Sequence, residues 1–337
     1  MRRLLGALVA VLLLAGSSQP VAGRSVDELL RQRTEAVLTH NEAMFTAGID
    51  PDASEPFKAA QQRLFRNVTA LPITTWRYDR DHLTYALDVD QRPTTKPLTF
   101  RFTEHAGRWY IADDKPALPW DFAPIRVDRT MNGLVISHPG DEALAARVLA
   151  ELDPAVDAVT EVWGSGWPRK VAVVIPHNPD ELRELVGPVL SDVAGIAISD
   201  AVDPPAGQRV VINPDQAAPL SPVELRVLIR HEFTHVAARQ ATRDTAPMWL
   251  VEGFADYVAF HGSGMSLRQA APLLTSDVAA VPTDFAGPKR DLAYQQAYSL
   301  CLYLAQHQDI AAFYRSHQSQ VDIDVTGWRE FLRQAIG

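Results

Sequence analysis

Ser221-Pro222-Val223-Glu224-Leu225-Arg226-Val227-Leu228-Ile229-Arg230-His231-Glu232-Phe233-Thr234-His235 and, a short gap later, Pro247-Met248-Trp249-Leu250-Val251-Glu252-Gly253-Phe254-Ala255-Asp256-Tyr257 are the stretches whose reading decides this chain. The first opens as a helix. Ser221 and Glu224 form a capping box, and Pro222 takes the first helical position, where no N–H is required. The helix runs on through Leu225, Leu228 and Ile229 into His231 and His235, one turn apart on one face. Two imidazoles so spaced can converge on one Zn²⁺, which takes nitrogen and oxygen ligands at about 2.0–2.2 Å. By residue frequencies an accidental HExxH arises only about 0.02 times in a chain of this composition.

Two histidines leave a zinc site incomplete, and the second stretch supplies the missing acid. Pro247 opens a helix that Gly262 to Gly264 end, and Glu252 and Asp256 lie four residues apart on one of its faces. Glu252 is expected as the third ligand. Asp256 is expected to accept the outer N–H of a ligating imidazole, fixing its tautomer. Gly253 costs about 1 kcal/mol in a helix interior relative to Ala, which predicts a close approach between these two helices. Glu232, beside the first ligand, is placed to take a proton from water at the open fourth position.

This pattern, His231-Glu232-Phe233-Thr234-His235 followed by Trp249, Glu252-Gly253 and Asp256, resembles the gluzincin superfamily, the MA-like metallopeptidases related to thermolysin. The resemblance covers about the last two hundred residues. It implies peptide-bond hydrolysis with Glu232 as general base, a peptide or protein substrate, and a tyrosine or histidine facing Glu232. A third helix, expected over 291–307, offers Tyr294 first and Tyr298 second for that role. Relatives hold extended peptides along a sheet edge, a part assigned here to Arg209 to Asn213. The interval between His235 and Glu252 is shorter than in thermolysin, which implies a trimmed connecting loop. Metzincins need a third histidine soon after the second, and Ala237 to Arg243 contains none.

Working outward, Gly133 to Ser137, Lys170 to Ile175, Gly195 to Ser199 and Arg209 to Ile212 read as strands of a small mixed sheet, with a helix from Glu142 to about Trp163. Upstream, Val26 to Val68 reads as two helices parted near Gly48 to Pro56. Strands are then predicted at 74–78, 82–89, 98–104 and 108–112, the last two joined by an Ala106-Gly107 turn. The class is therefore α+β: an N-terminal α+β unit over 24–125, faintly similar to cystatin-like or NTF2-like folds, and a zincin-like domain over 126–337. The proline-bearing stretch 113–124 marks the boundary. An inhibitory pro-segment is the other reading of 24–125.

Arg2 and Arg3 followed by the apolar run Leu4 to Ala15 and the small-residue site Val21-Ala22-Gly23 read as a secretory signal peptide over 1–23. The run is too short for a stable membrane span, which needs about 20 apolar residues, so a secreted protein is expected, with an uncleaved anchor as the alternative. A net charge of −9 and the lack of a basic cluster argue against a nucleic-acid partner. Cys301 is the only cysteine, so no intramolecular disulfide forms, and its apolar surroundings read as core. From a different functional class, the same ligands also suit a catalytically silent, zinc-stabilised interaction protein.

Overall fold

The computed structural model describes residues 25–188, 192–202, 204–316 and 322–336. The signal peptide expected over 1–23 lies outside them. The N-terminal unit begins with α1 (Val26–Leu38), α2 (Glu42–Thr46) and α3 (Glu55–Ala70). Each has a side-chain cap: Ser25, Asn41 and Ser54 accept the N–H of Glu28, Met44 and Phe57. The first of the two helices expected here is divided, because the chain turns at Thr39-His40-Asn41 with His40 at φ 54°.

Next come an antiparallel sheet of β1 (Ile73–Tyr78), β2 (His82–Leu87) and β3 (Thr94–Pro97), and the hairpin of β4 (Phe100–His105) and β5 (Arg108–Asp114). The Ala106-Gly107 turn forms as expected, with φ of 50° and 79°, the paired positive values of a type I′ hairpin. The proline-bearing connection folds α4 (Pro119–Phe122), whose Asp121 Oδ2 accepts the N–H groups of Ala117 and Leu118.

The second unit is built on a five-stranded mixed sheet. Its strands are β6 (Arg126–Arg129), β7 (Gly133–Ser137), β8 (Val171–Val174), β9 (Gly195–Ile198) and, beyond the small hairpin of β10 (Ala201–Val202) and β11 (Pro205–Ala206), β12 (Arg209–Ile212). The spatial order is β6-β7-β8-β12-β9, with β7, β8 and β12 parallel and both outer strands antiparallel to their neighbours. The crossover from β7 to β8 is α5 (Glu142–Trp163), which stays helical through Pro154. The helices α6 (Pro179–Val186), α7 (Pro214–Ala217), α8 (Pro222–Ala238), α9 (Met248–Phe260), α10 (Leu267–Ala270), α11 (Arg290–Ala305), α12 (Ile310–Ser316) and α13 (Val325–Ile336) complete the chain. The class is mixed α+β, and no helix among the described residues is long and apolar enough to cross a membrane.

Every residue of β7, β8 and β12 is buried, which requires cover on both faces of the sheet. Side chains alternate across a strand. Val135, Val173, Val210 and Ile212 pack with α5, α8, α9 and α11, while Leu134, Ile136, Ala172, Val174 and Val211 pack with Trp120 and the N-terminal unit. That unit therefore supplies the second layer of the same sheet.

Polar contacts close the seam. Asp200, just after β9, accepts Tyr85 Oη–H at 2.7 Å and Lys96 Nζ–H at 3.0 Å from the N-terminal unit, and pairs with Arg209 at 3.1 Å. Burial opposes its charge, but Arg209, Tyr85 and Lys96 outweigh that and hold its carboxyl below the usual range. His138, fully buried, donates Nδ1–H to the Pro124 carbonyl at 2.9 Å and Nε2–H to Glu181 at 3.1 Å, tying the connection between the units to α6.

Candidate metal centre

The capping box read from the sequence starts α8: Ser221 Oγ accepts Glu224 N–H at 3.3 Å, and Glu224 Oε2 accepts Ser221 N–H at 2.8 Å. From that fixed start the helix has two faces. Ile229, Phe233 and Val236 enter the core against the sheet. His231 and His235 emerge into a cleft of about 390 Å³ bordered by Gly195, Ile196, Ala197, Met248, Val251, Glu252 and Tyr294.

On α9, Trp249, Leu250, Phe254 and Val258 are core residues, which leaves Glu252 and Asp256 turned toward α8. His231 Nε2 and His235 Nε2 stand 3.0 Å apart, and Glu252 Oε2 lies 3.3 Å from the first and 3.5 Å from the second. Three lone-pair donors thus share one point, a grouping that could hold a metal ion. His231 Nδ1–H donates to Asp256 Oδ1 at 2.8 Å, which commits the opposite nitrogen to the shared point.

Charge explains why such a cluster persists. Burial works against a charge on His231, but the Asp256, Glu252 and Glu232 carboxylates outweigh it and hold its proton affinity well above the histidine range. Glu252 feels the converse: burial favours its neutral form, yet the two imidazoles hold it well below the usual carboxylate range. The pocket is poised for positive charge.

Glu232 is buried at 6% exposure and borders the cleft, and among the described residues its carboxylate makes no hydrogen bond. The β9 backbone is close: a Cβ on Gly195 would stand 3.3 Å from Glu232 Cγ and 3.2 Å from both Leu228 Cδ1 and Ile212 Cδ1. Tyr294 borders the cleft, its ring edge-on to Phe285 at 5.3 Å. Burial, with Glu252, Asp256 and Glu232 nearby, pushes its hydroxyl far above the usual range, so it stays protonated.

Three expectations change. Tyr298 does not reach the cleft; it is buried in the core with its ring 5.0 Å from Phe260, one turn along α11 on the packed side. The strand at Arg209 to Ile212 is interior, hydrogen-bonded to β8 on one side and β9 on the other, so among the described residues the open sheet edge at the cleft is β9. Gly253 admits α11 rather than α8: a Cβ there would meet the Ala297 carbonyl oxygen at 2.4 Å.

The sequence reading passed over Arg239, one turn beyond His235 on the same face, although the i, i+4, i+8 spacing of His231, His235 and Arg239 carries that signal. A second donor group, Asp50, Asp52 and His105, sits in the N-terminal unit, with His105 Nε2 held by Asp50 at 3.0 Å. Cys301 is fully buried in the core, where burial pushes its thiol far up. In comparisons with known proteins, no protein-family model matches the chain and no curated protein matches it.

Proposed function

We propose that this chain is a secreted zinc-dependent peptidase of the gluzincin kind, in which His231, His235 and Glu252 hold the metal and Glu232 handles the proton. The observation that carries the reading is the donor triangle of 3.0, 3.3 and 3.5 Å beside the Glu232 carboxylate, which makes no hydrogen bond among the described residues. Donors about 2.0–2.1 Å from one tetrahedral zinc stand about 3.3 Å apart, so the residues present fit the ion. A two-nitrogen, one-oxygen set also suits zinc over the harder, all-oxygen preferences of calcium or magnesium. When bound, zinc would supply Lewis acidity that makes water a stronger acid and polarises a carbonyl.

The chain's own residues account for the rest. Asp256 keeps the His231 ring oriented and its Nδ1 protonated. Glu232, with free lone pairs in the cleft, accepts a proton from the attacking water and returns it to the leaving amine, one group serving both halves of the hydrolysis. Tyr294, kept protonated by its surroundings, donates to the oxyanion that develops on the carbonyl. The open edge of β9 offers backbone N–H and C=O groups to an extended peptide, with the apolar Ile196, Met248 and Val251 alongside.

The test is Glu232→Gln against wild type, with zinc measured by atomic absorption and turnover read on a diverse peptide library. Expected is stoichiometric zinc in both proteins and turnover lowered about 10²–10⁴-fold in the variant. Zinc without hydrolysis in the wild type would favour the catalytically silent, zinc-stabilised interaction protein instead.

A further inference from the structure

The cleft beside the metal centre is apolar along β9 and at Met248 and Val251, and its remaining charged side chains are the metal ligands, Glu232 and Arg239. Arg239 follows His235 by one turn, and at the C-terminal cap of α8 its backbone stays helical at φ −49° and ψ −44°, so the i, i+4 spacing still applies. Among the described residues it makes no hydrogen bond and no ion pair, although it is only partly exposed. The other arginines of this helix contrast with it: Arg226 pairs with Glu151 at 3.0 Å, and Arg230 donates to the His261 carbonyl at 3.1 Å. Thr242, the neighbouring hydroxyl in the cleft, is engaged with Tyr314 Oη at 2.7 Å.

A guanidinium presents planar N–H donors that match a carboxylate in bidentate fashion. We infer that Arg239 receives a carboxylate of the substrate, so that the preferred peptide carries an anionic group within about two residues of the bond that is cut. The span follows from helix geometry: neighbours four apart on a helix face stand about 6 Å apart at Cβ, and an extended peptide advances about 3.3 Å per residue. The inference rests on the metal-centre reading given above. Two sources share the chemistry, a free C-terminal carboxylate and an Asp or Glu side chain.

The experiment uses the zinc-loaded full chain and binding rather than turnover. Calorimetry compares three short peptide hydroxamates that differ in one group: a free C-terminal carboxylate, the same chain ending in carboxamide, and the carboxamide with a flanking Glu. Acetohydroxamate serves as a metal-only control. A carboxylate form is expected to bind about ten- to a hundredfold more tightly than the plain carboxamide, the range of one charge-assisted pair. Arg239→Gln should erase that advantage and leave acetohydroxamate unchanged; Arg239→Lys should keep part of it. An advantage for the C-terminal acid assigns the chain to removal of terminal residues, and one for the Glu form to cleavage within chains.

Equal binding of all three hydroxamates, or an advantage that survives in Arg239→Gln, overturns the inference. Failure of every hydroxamate, acetohydroxamate included, overturns the metal reading and this inference with it. Hydroxamate binding with no peptide hydrolysed overturns the peptidase reading and the placing of the anionic group relative to a cut bond, while carboxylate binding at Arg239 stands.

Discussion

Asp256 reaches the candidate metal through a single hydrogen bond of 2.8 Å to His231 Nδ1. Asp256→Asn keeps the size and removes the charge, and groups in this position are worth about 10–100-fold in metal affinity. The expected result is a zinc affinity lowered by that factor in a chelator competition, with an unchanged circular dichroism spectrum. A second residue sets a pH dependence. Burial raises the Asp121 carboxyl from 3.8 to about 7, against the pull of the Ala117 and Leu118 N–H groups. Between those values the folded chain keeps a proton that the unfolded chain has lost, so this group's contribution is complete below 3.8 and declines as pH rises toward about 7. Asp121→Asn should therefore flatten the fall in Tm from pH 4 to 7, as differential scanning calorimetry would read.

At the scale of elements, the candidate metal centre depends on how closely three helices approach. Gly253 lies where α9 meets α11, and a Cβ there would come within 2.4 Å of the Ala297 oxygen and 2.6 Å of its carbon. These are backbone atoms and cannot swing aside. Gly253→Ala thus pushes α9 off α11 and shifts Glu252, one residue away, despite the better helix propensity of Ala. Overpacking of this kind costs about 1–3 kcal/mol, so thermal unfolding should show a lower Tm and zinc should bind less tightly; a raised Tm would refute this account. The sequence exposed the glycine's cost but not which helix it admits, because helix spacing in a chain says nothing about the third helix, some forty residues on. Helix faces were legible for a simple reason. His231, His235, Glu252 and Asp256 obey the 3.6-residue period inside their own helices, and the capping box at Ser221 sets where that period begins.

Across the whole molecule, the N-terminal unit and the sheet form one packed body. Leu134, Ile136, Val174 and Val211 would face water without Trp76, Tyr85, Trp120 and their neighbours. The buried Asp200 would lose Tyr85 and Lys96, leaving its charge to Arg209 alone at the root of the strand that borders the cleft. A chain starting at residue 126 is therefore expected to aggregate on expression. A soluble, zinc-binding product from that truncation, read by gel filtration and metal content, would instead favour the pro-segment reading of 24–125.

The sequence by itself determined the chemistry-bearing faces and several of the elements: the capped start of α8, the paired imidazoles, the two carboxylates on α9, the Ala106-Gly107 turn and the α+β class. All of these are set by contacts within a few residues along the chain. Tertiary structure decided what depends on distant partners. It put Tyr294 at the cleft and Tyr298 in the core and laid the N-terminal unit over the second face of the sheet; among the described residues it made β9 the open edge instead of Arg209 to Ile212 and left Arg239 without an acid. Periodicity tells which side chains share a face, but only packing tells what that face meets.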